Sequence, residues 1–163
     1  MKGVAASSLA AALVVCGPAW GQAVVLRGPD GQTRSVSEAE LAAMPHERMT
    51  LAGEHGPGRR YDGVPLTLLL QTVGAPAGKQ LHGPALADVV VVTASDGYRV
   101  VLALAETDPG VRPEKVLLAD RSEGAPLAAG EGPFRLVVEG DLRPARSARM
   151  VTGITVEPAP KGN

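Results

Sequence analysis

Apolar and polar positions alternate in short runs along most of this chain, and only two stretches carry a helical stripe. AVVLRGPDGQTRSV reads as two strands around a Pro29-Asp30-Gly31 turn, where proline pre-sets the bend and glycine accepts a positive φ. SVSEAELAAMP comes next as a short helix. Its Ser37 and Glu40 have capping-box spacing, Leu41 and Met44 give an apolar stripe, and Pro45 ends it. RMTLAG is a candidate strand, and EHGPGRR, with two glycines and a proline in seven residues, reads as a loop. The second helix is predicted over YDGVPLTLLLQTVGAP, residues 61–76, with Pro65 in its first turn and Gly74 at its C-terminal stop. Leu66, Leu69, Leu70 and Val73 recur there at i, i+3, i+4, i+7, the spacing of a buried stripe.

Strands dominate the rest of the chain. ADVVVVTASDGYRVVLAL gives two β-branched runs joined at Ser95-Asp96-Gly97, a hairpin signal. ETDPGVRPE reads as a loop, and KVLLADRSEGAPL as a strand with a turn at Glu123-Gly124. PFRLVVEG and MVTGITVE complete the set. The expected fold class is α+β: a single strand-dominated mixed β domain with two short helices over residues 24–158, then a frayed tail over 159–163.

The first 23 residues break this pattern. One positive charge (Lys2) precedes an apolar run over residues 4–15, and small residues at Gly21 and Ala23 precede a plausible cut. That is the layout of a secretory signal peptide, with an apolar run too short to span a bilayer. The expectation is a periplasmic or secreted protein of about 140 residues with no membrane span after signal removal. Val14 and Val15 stand where a lipoprotein signal needs small residues, so Cys16 is not read as a lipid anchor.

Cys16 is the chain's one cysteine, so the expected mature domain has neither a disulfide nor a thiolate. The formal charge of −1 gives no general argument for nucleic acid or an anionic membrane as partner. Aromatic residues make up 2% of the chain, too few for stacking platforms. His46, His55 and His82 match no zinc spacing and are expected on the surface, with no metal site. Asp96 reads as a turn residue and Tyr98 as a half-buried strand residue, while Glu106 and Asp108 fit a loop start better than a catalytic pair. No Gly-x-Ser-x-Gly elbow is present, and EHGPGRR lacks the lysine of a phosphate loop.

One segment invites chemistry. DLRPARSAR, between the last two strands, places Arg143, Arg146 and Arg149 at every third position. It is either a solvated inter-strand connection or a grip for an anion, with Pro144 opening a helical turn whose N–H groups face the ligand.

YDGVPLTLLLQTVGAP, SDGYRVVLALAE, KVLLADRSEGAPL and GPFRLVVEGDLRPARSARMVTGITV, in that order and spacing over residues 61–156, resemble the oxidoreductase molybdopterin-binding domain of sulfite oxidase-like enzymes. The resemblance implies a mixed α+β fold whose full-length members hold a molybdenum–pterin cofactor and oxidise or reduce small oxyanions or sulfoxides. It also implies that PARSARMVTGI occupies the segment gripping the cofactor's phosphate-bearing end. Arg143, Arg146, Ser147 and Arg149 are thereby the candidate phosphate or anion contacts. Arg149 stands for the family's usual lysine and Met150 for its usual tryptophan.

The family's catalytic members ligate molybdenum through a cysteine thiolate, which this chain lacks outside residue 16. Arg59 and Arg60 are expected as an exposed loop pair. Exported members carry the cofactor out already folded, behind a twin-arginine signal, and this leader has no arginine pair. The resulting expectation is a non-catalytic binding or accessory module with an anion-binding loop and no cofactor. An anionic small molecule or a redox or haem protein would be its partner. The alternative is a molybdopterin-dependent oxidoreductase, or a subunit of one.

Overall fold

The computed structural model describes residues 22–51 and 57–159. The expected leader, apart from its last two residues, and His55 lie outside them. Two strands, β1 (Ala23–Arg27) and β2 (Thr33–Ser37), form the first hairpin, in register from Ala23 opposite Ser37 to Arg27 opposite Thr33. Helix α1 (Glu38–Ala43) starts at a complete capping box. The Glu40 N–H donates to Ser37 Oγ at 3.3 Å and the Ser37 N–H donates to Glu40 Oε2 at 2.9 Å. The Ser37 N–H first, and then the Ser37 hydroxyl, which donates to Oε2 at 2.9 Å, hold the Glu40 carboxyl below the usual glutamate range.

Strands β3 (Glu47–Leu51) and β4 (Arg59–Pro65) come next, then helix α2 (Leu66–Gln71). Here the structure corrects the sequence reading twice. Residues 61–65, expected as the first turns of a helix, are extended and pair with two neighbouring strands, so Pro65 is the N-cap of a six-residue helix. Arg59 and Arg60, expected in a loop, open strand β4. Gly63 shows why the boundary lies there. A Cβ on it would stand 2.5 Å from both the Ala119 Cα and the Leu118 carbonyl oxygen, so the strand can approach its neighbour only without a side chain.

The remaining strands are β5 (Val89–Ala94), β6 (Arg99–Ala103), β7 (Val116–Ser122), the two-residue β8 (Ala125–Pro126), β9 (Arg135–Val138) and β10 (Val151–Glu157). The first sheet has the order β2-β1-β10-β5-β6, with β1 and β10 parallel. The second runs β3-β4-β7-β8, with β9 also on β7. The expected strand-dominated α+β class, with two short helices, is the observed one.

Alternating side chains of β7 and β9 face two cores. Val116, Leu118, Leu136 and Val138 join Leu66, Leu69, Leu70, Ile154 and the inner face of the first sheet in the larger core. Leu117, Ala119 and Val137 face the other way and pack with Met49, Leu51 and Tyr61. These strands are buried on both faces, which is why they read as unbroken apolar runs. Among the described residues no helix is long and apolar enough to cross a membrane.

Candidate functional site

The segment between β9 and β10 crosses from one sheet to the other. Pro144–Arg146 form a single 3-10 turn with proline at its start, a position where the missing N–H is no loss. Ser147 closes the turn: its N–H donates to the Pro144 carbonyl at 3.0 Å, and its buried hydroxyl accepts from the Val138 N–H at 3.3 Å. Tyr98, just beyond the β5–β6 hairpin tip, reaches across and donates its phenolic O–H to the Ala145 carbonyl at 2.8 Å. The tip is itself fixed by Asp96, whose Oδ1 accepts from the Tyr98 N–H at 2.9 Å.

Met150 ends the segment with φ of 48°, in the left-handed region that costs a side-chain-bearing residue about 1–2 kcal/mol. Hydrogen bonds on both sides impose that conformation: its N–H donates to the Glu131 carbonyl, and its carbonyl accepts from the Ser95 N–H, each at 2.9 Å. A non-glycine residue so held is a common companion of ligand sites.

These elements enclose a cleft of about 330 Å³ lined by Asp96, Tyr98, Pro144, Ala145, Ser147, Arg149 and Met150, with Gly130 and Ala148. The four candidate contacts divide around it. Ser147 and Arg149 line the cleft, and Arg149 forms no ion pair among the described residues. Arg143 is exposed at the start of the 3-10 turn and is not part of the lining. Arg146 turns away. Its guanidinium embraces Asp141 with Nε–Oδ2 at 3.0 Å and Nη2–Oδ1 at 2.6 Å, and its Nη1 reaches Glu106 Oε1 at 3.2 Å.

Asp141, first, and then Glu106 hold the Arg146 guanidinium above the ordinary arginine value despite partial burial. For Glu106 the largest influence is burial, which opposes ionisation. The Ala103 N–H and the Arg146 and Arg112 guanidiniums outweigh it and leave the carboxyl below the usual range. Glu106 therefore works as a cap and ion-pair partner, and Asp108 accepts from the Gly78 and Gly110 N–H groups at 2.5 and 2.7 Å.

Sequence reasoning missed a second charged group nearby. Arg135, in β9, is 4% exposed, pairs with Glu131 Oε1 at 2.6 Å, and lies with its Cζ 5.0 Å from the Tyr61 ring centroid. Arg59 adds a second guanidinium to both, 2.9 Å from the same Glu131 oxygen and 5.4 Å from the ring. Burial first, and then the positive charges of Arg149 and Arg59, hold Arg135 below the ordinary arginine value, against the pull of Tyr61 and Glu131. Its Nε and Glu131 Oε2 are buried without a hydrogen-bond partner among the described residues. The signal in the sequence was a lone arginine opening an all-apolar strand. Arg60, exposed, pairs with Glu123 at 3.2 Å.

Of the histidines, His82 is exposed and His46 bridges Met44 and Asp120. No group of three or more His, Cys, Asp or Glu side chains gathers as a metal site among the described residues.

Residues 38–163 match the family model described as "Oxidoreductase molybdopterin binding domain", and the chain belongs to that family. A sequence comparison with curated proteins finds no match. Among solved structures, the fold is similar to the sulfane dehydrogenase SoxCD from Paracoccus pantotrophus. The TM-score is 0.64 at 17% identity, over 83% of this chain. The chain spans 38% of that protein's length.

The family implies a molybdenum–pterin group, and the residues present fit it only at one end. Arg149 and Ser147 suit a phosphate or other anion. No cysteine stands anywhere in residues 38–163, so the family-matched region offers no thiolate ligand for a molybdenum centre. Arg146, the motif's other cation, is already engaged by two carboxylates.

Proposed function

We propose that this chain is a binding or accessory module built on the molybdopterin-binding domain fold, without redox chemistry of its own. The cleft at Ser147 and Arg149 takes an anionic group, and the protein acts in the periplasm or outside the cell. The observation that carries this reading is the absence of cysteine from the whole family-matched region. Export rests on the layout of residues 1–23. The test is elemental analysis of protein purified from a host that makes the cofactor. Molybdenum far below one equivalent is expected, and stoichiometric molybdenum overturns the reading.

One observation favours a second reading. The cleft lies on the segment that resembles the family's phosphate grip, which suits a molybdopterin-dependent oxidoreductase, or subunit, acting on a small oxyanion or sulfoxide. A partner, such as a redox or haem protein, would then complete the site. This reading requires pterin fluorescence after denaturation, lost in Arg149→Gln. Absence of pterin from wild-type protein ends it.

A further inference from the structure

A second cleft, of about 340 Å³, opens on the other sheet and shares no lining residue with the first. Ala42, His46, Arg48, Asp62, Arg121 and Gly124 form its walls. Strand register builds it. Arg48 on β3 stands opposite Asp62 on β4, and Asp62 stands opposite Arg121 on β7, which gives a cation–anion–cation row across three strands. The register shift between Asp62 and Gly63 leaves Asp120 as the extra residue of a bulge, a device that re-aims side chains. Asp120 meets His46 Nε2 at 3.0 Å.

Counting donors shows what is left over. Asp62 accepts from Arg48 Nε at 2.8 Å. His46 has an oxygen at each ring nitrogen, the Met44 carbonyl at 2.8 Å and Asp120 Oδ1 at 3.0 Å. Each carboxylate therefore already has a side-chain partner, Arg48 for Asp62 and His46 for Asp120. Arg121 comes no nearer than 4.0 Å to Asp120 and donates no hydrogen bond among the described residues. Nor do the two terminal amino groups of Arg48. Two guanidinium forks with unused N–H groups border one cleft. Their planar, paired donors match an anion offering two oxygens.

We propose that this cleft is a second small-oxyanion site, held by Arg48 and Arg121 and independent of the one at Ser147 and Arg149. Its ligand is a carboxylate or a tetrahedral sulfur or phosphorus oxyanion. The test is a ¹⁵N NMR titration of the full chain with sodium acetate, sodium sulfate and sodium phosphate at constant ionic strength, with chloride as the balancing ion. Saturable shifts of the Asp62, Arg121 and Gly124 amides are expected with at least one of the three. The anion that saturates at the lowest concentration identifies the ligand type.

Arg121→Gln and Arg48→Gln each weaken that response roughly tenfold, the loss of one charge-assisted contact. Arg149→Gln leaves it unchanged. Both cleft side chains are more than half exposed, so the variants keep the wild-type spectrum elsewhere. Unsaturating shifts, or wild-type titration curves in both cleft variants, overturn the proposal. Loss of the response in Arg149→Gln overturns its independence of the first site.

Discussion

Replacing Arg146 with methionine keeps the aliphatic stem of the side chain and removes the guanidinium that three oxygens contact. Asp141, whose side chain is 15% exposed, would lose both of its hydrogen bonds to Arg146, at 2.6 and 3.0 Å, and Glu106 would lose one at 3.2 Å. A charge-assisted hydrogen bond contributes about 1.5–3 kcal/mol when well buried, and far less at the surface. Arg146 itself is one-third exposed, and Glu106 keeps Arg112 at 3.5 Å and the Ala103 N–H. The expected cost is therefore about 2 kcal/mol, not the sum of three bonds. For a domain of this size that lowers Tm by roughly 6–10 °C in a thermal melt followed by circular dichroism.

The pH dependence stems from Glu106. Its folded-state carboxyl titrates below the ordinary glutamate value, so it contributes stability at neutral pH. That contribution is lost as pH falls through and below the ordinary value. Arg146→Met removes part of the cause, so the acid limb of its Tm–pH curve is shallower than in wild type. The anion binding proposed for the Ser147–Arg149 cleft, measured with inorganic phosphate, is expected to stay within about twofold, because Arg146 faces elsewhere. An unchanged Tm together with lost phosphate binding would refute the reasoning, since the guanidinium would then belong to the cleft.

Two further outcomes test the core and the fold. Arg135→Met alone leaves a largely buried Glu131 with only Arg59 as partner and costs about 3 kcal/mol or more in denaturant unfolding. Adding Glu131→Gln recovers part of that loss, because the unpartnered Nε and Oε2 mark a pair that is incompletely compensated. Gly63→Ala drives a methyl group against backbone at 2.5 Å and abolishes soluble, cooperatively melting protein, whereas Gly130→Ala, with nothing within 4 Å, does not.

Local chemistry was legible in the sequence where neighbours in the chain decide the structure. The Ser37–Glu40 cap, the turn before Tyr98, the Glu123-Gly124 turn and the leucine stripe of α2 all depend on residues a few positions apart. The helix start was misplaced because Leu66, Leu69 and Leu70 give a helical period whose upstream limit is set by partners at 47–51 and 117–122. Arginine spacing likewise could not reveal that Arg146 turns toward Glu106, forty residues away in the chain. Nor could it show that Arg149 alone of the three arginines faces the cleft. The family was legible because the order of four segments carries more information than any one of them.

Met150 joins the two sheets through hydrogen bonds on both its sides, one to the chain before β9 and one to the tip of the β5–β6 hairpin. The walls of the Ser147–Arg149 cleft are therefore also the seam of the domain. Under the proposed function, an anion seated there would be held by groups whose positions depend on both sheets remaining docked, so its binding would favour the docked state. The proposed ligand would in that sense be a fastener across the seam as well as cargo.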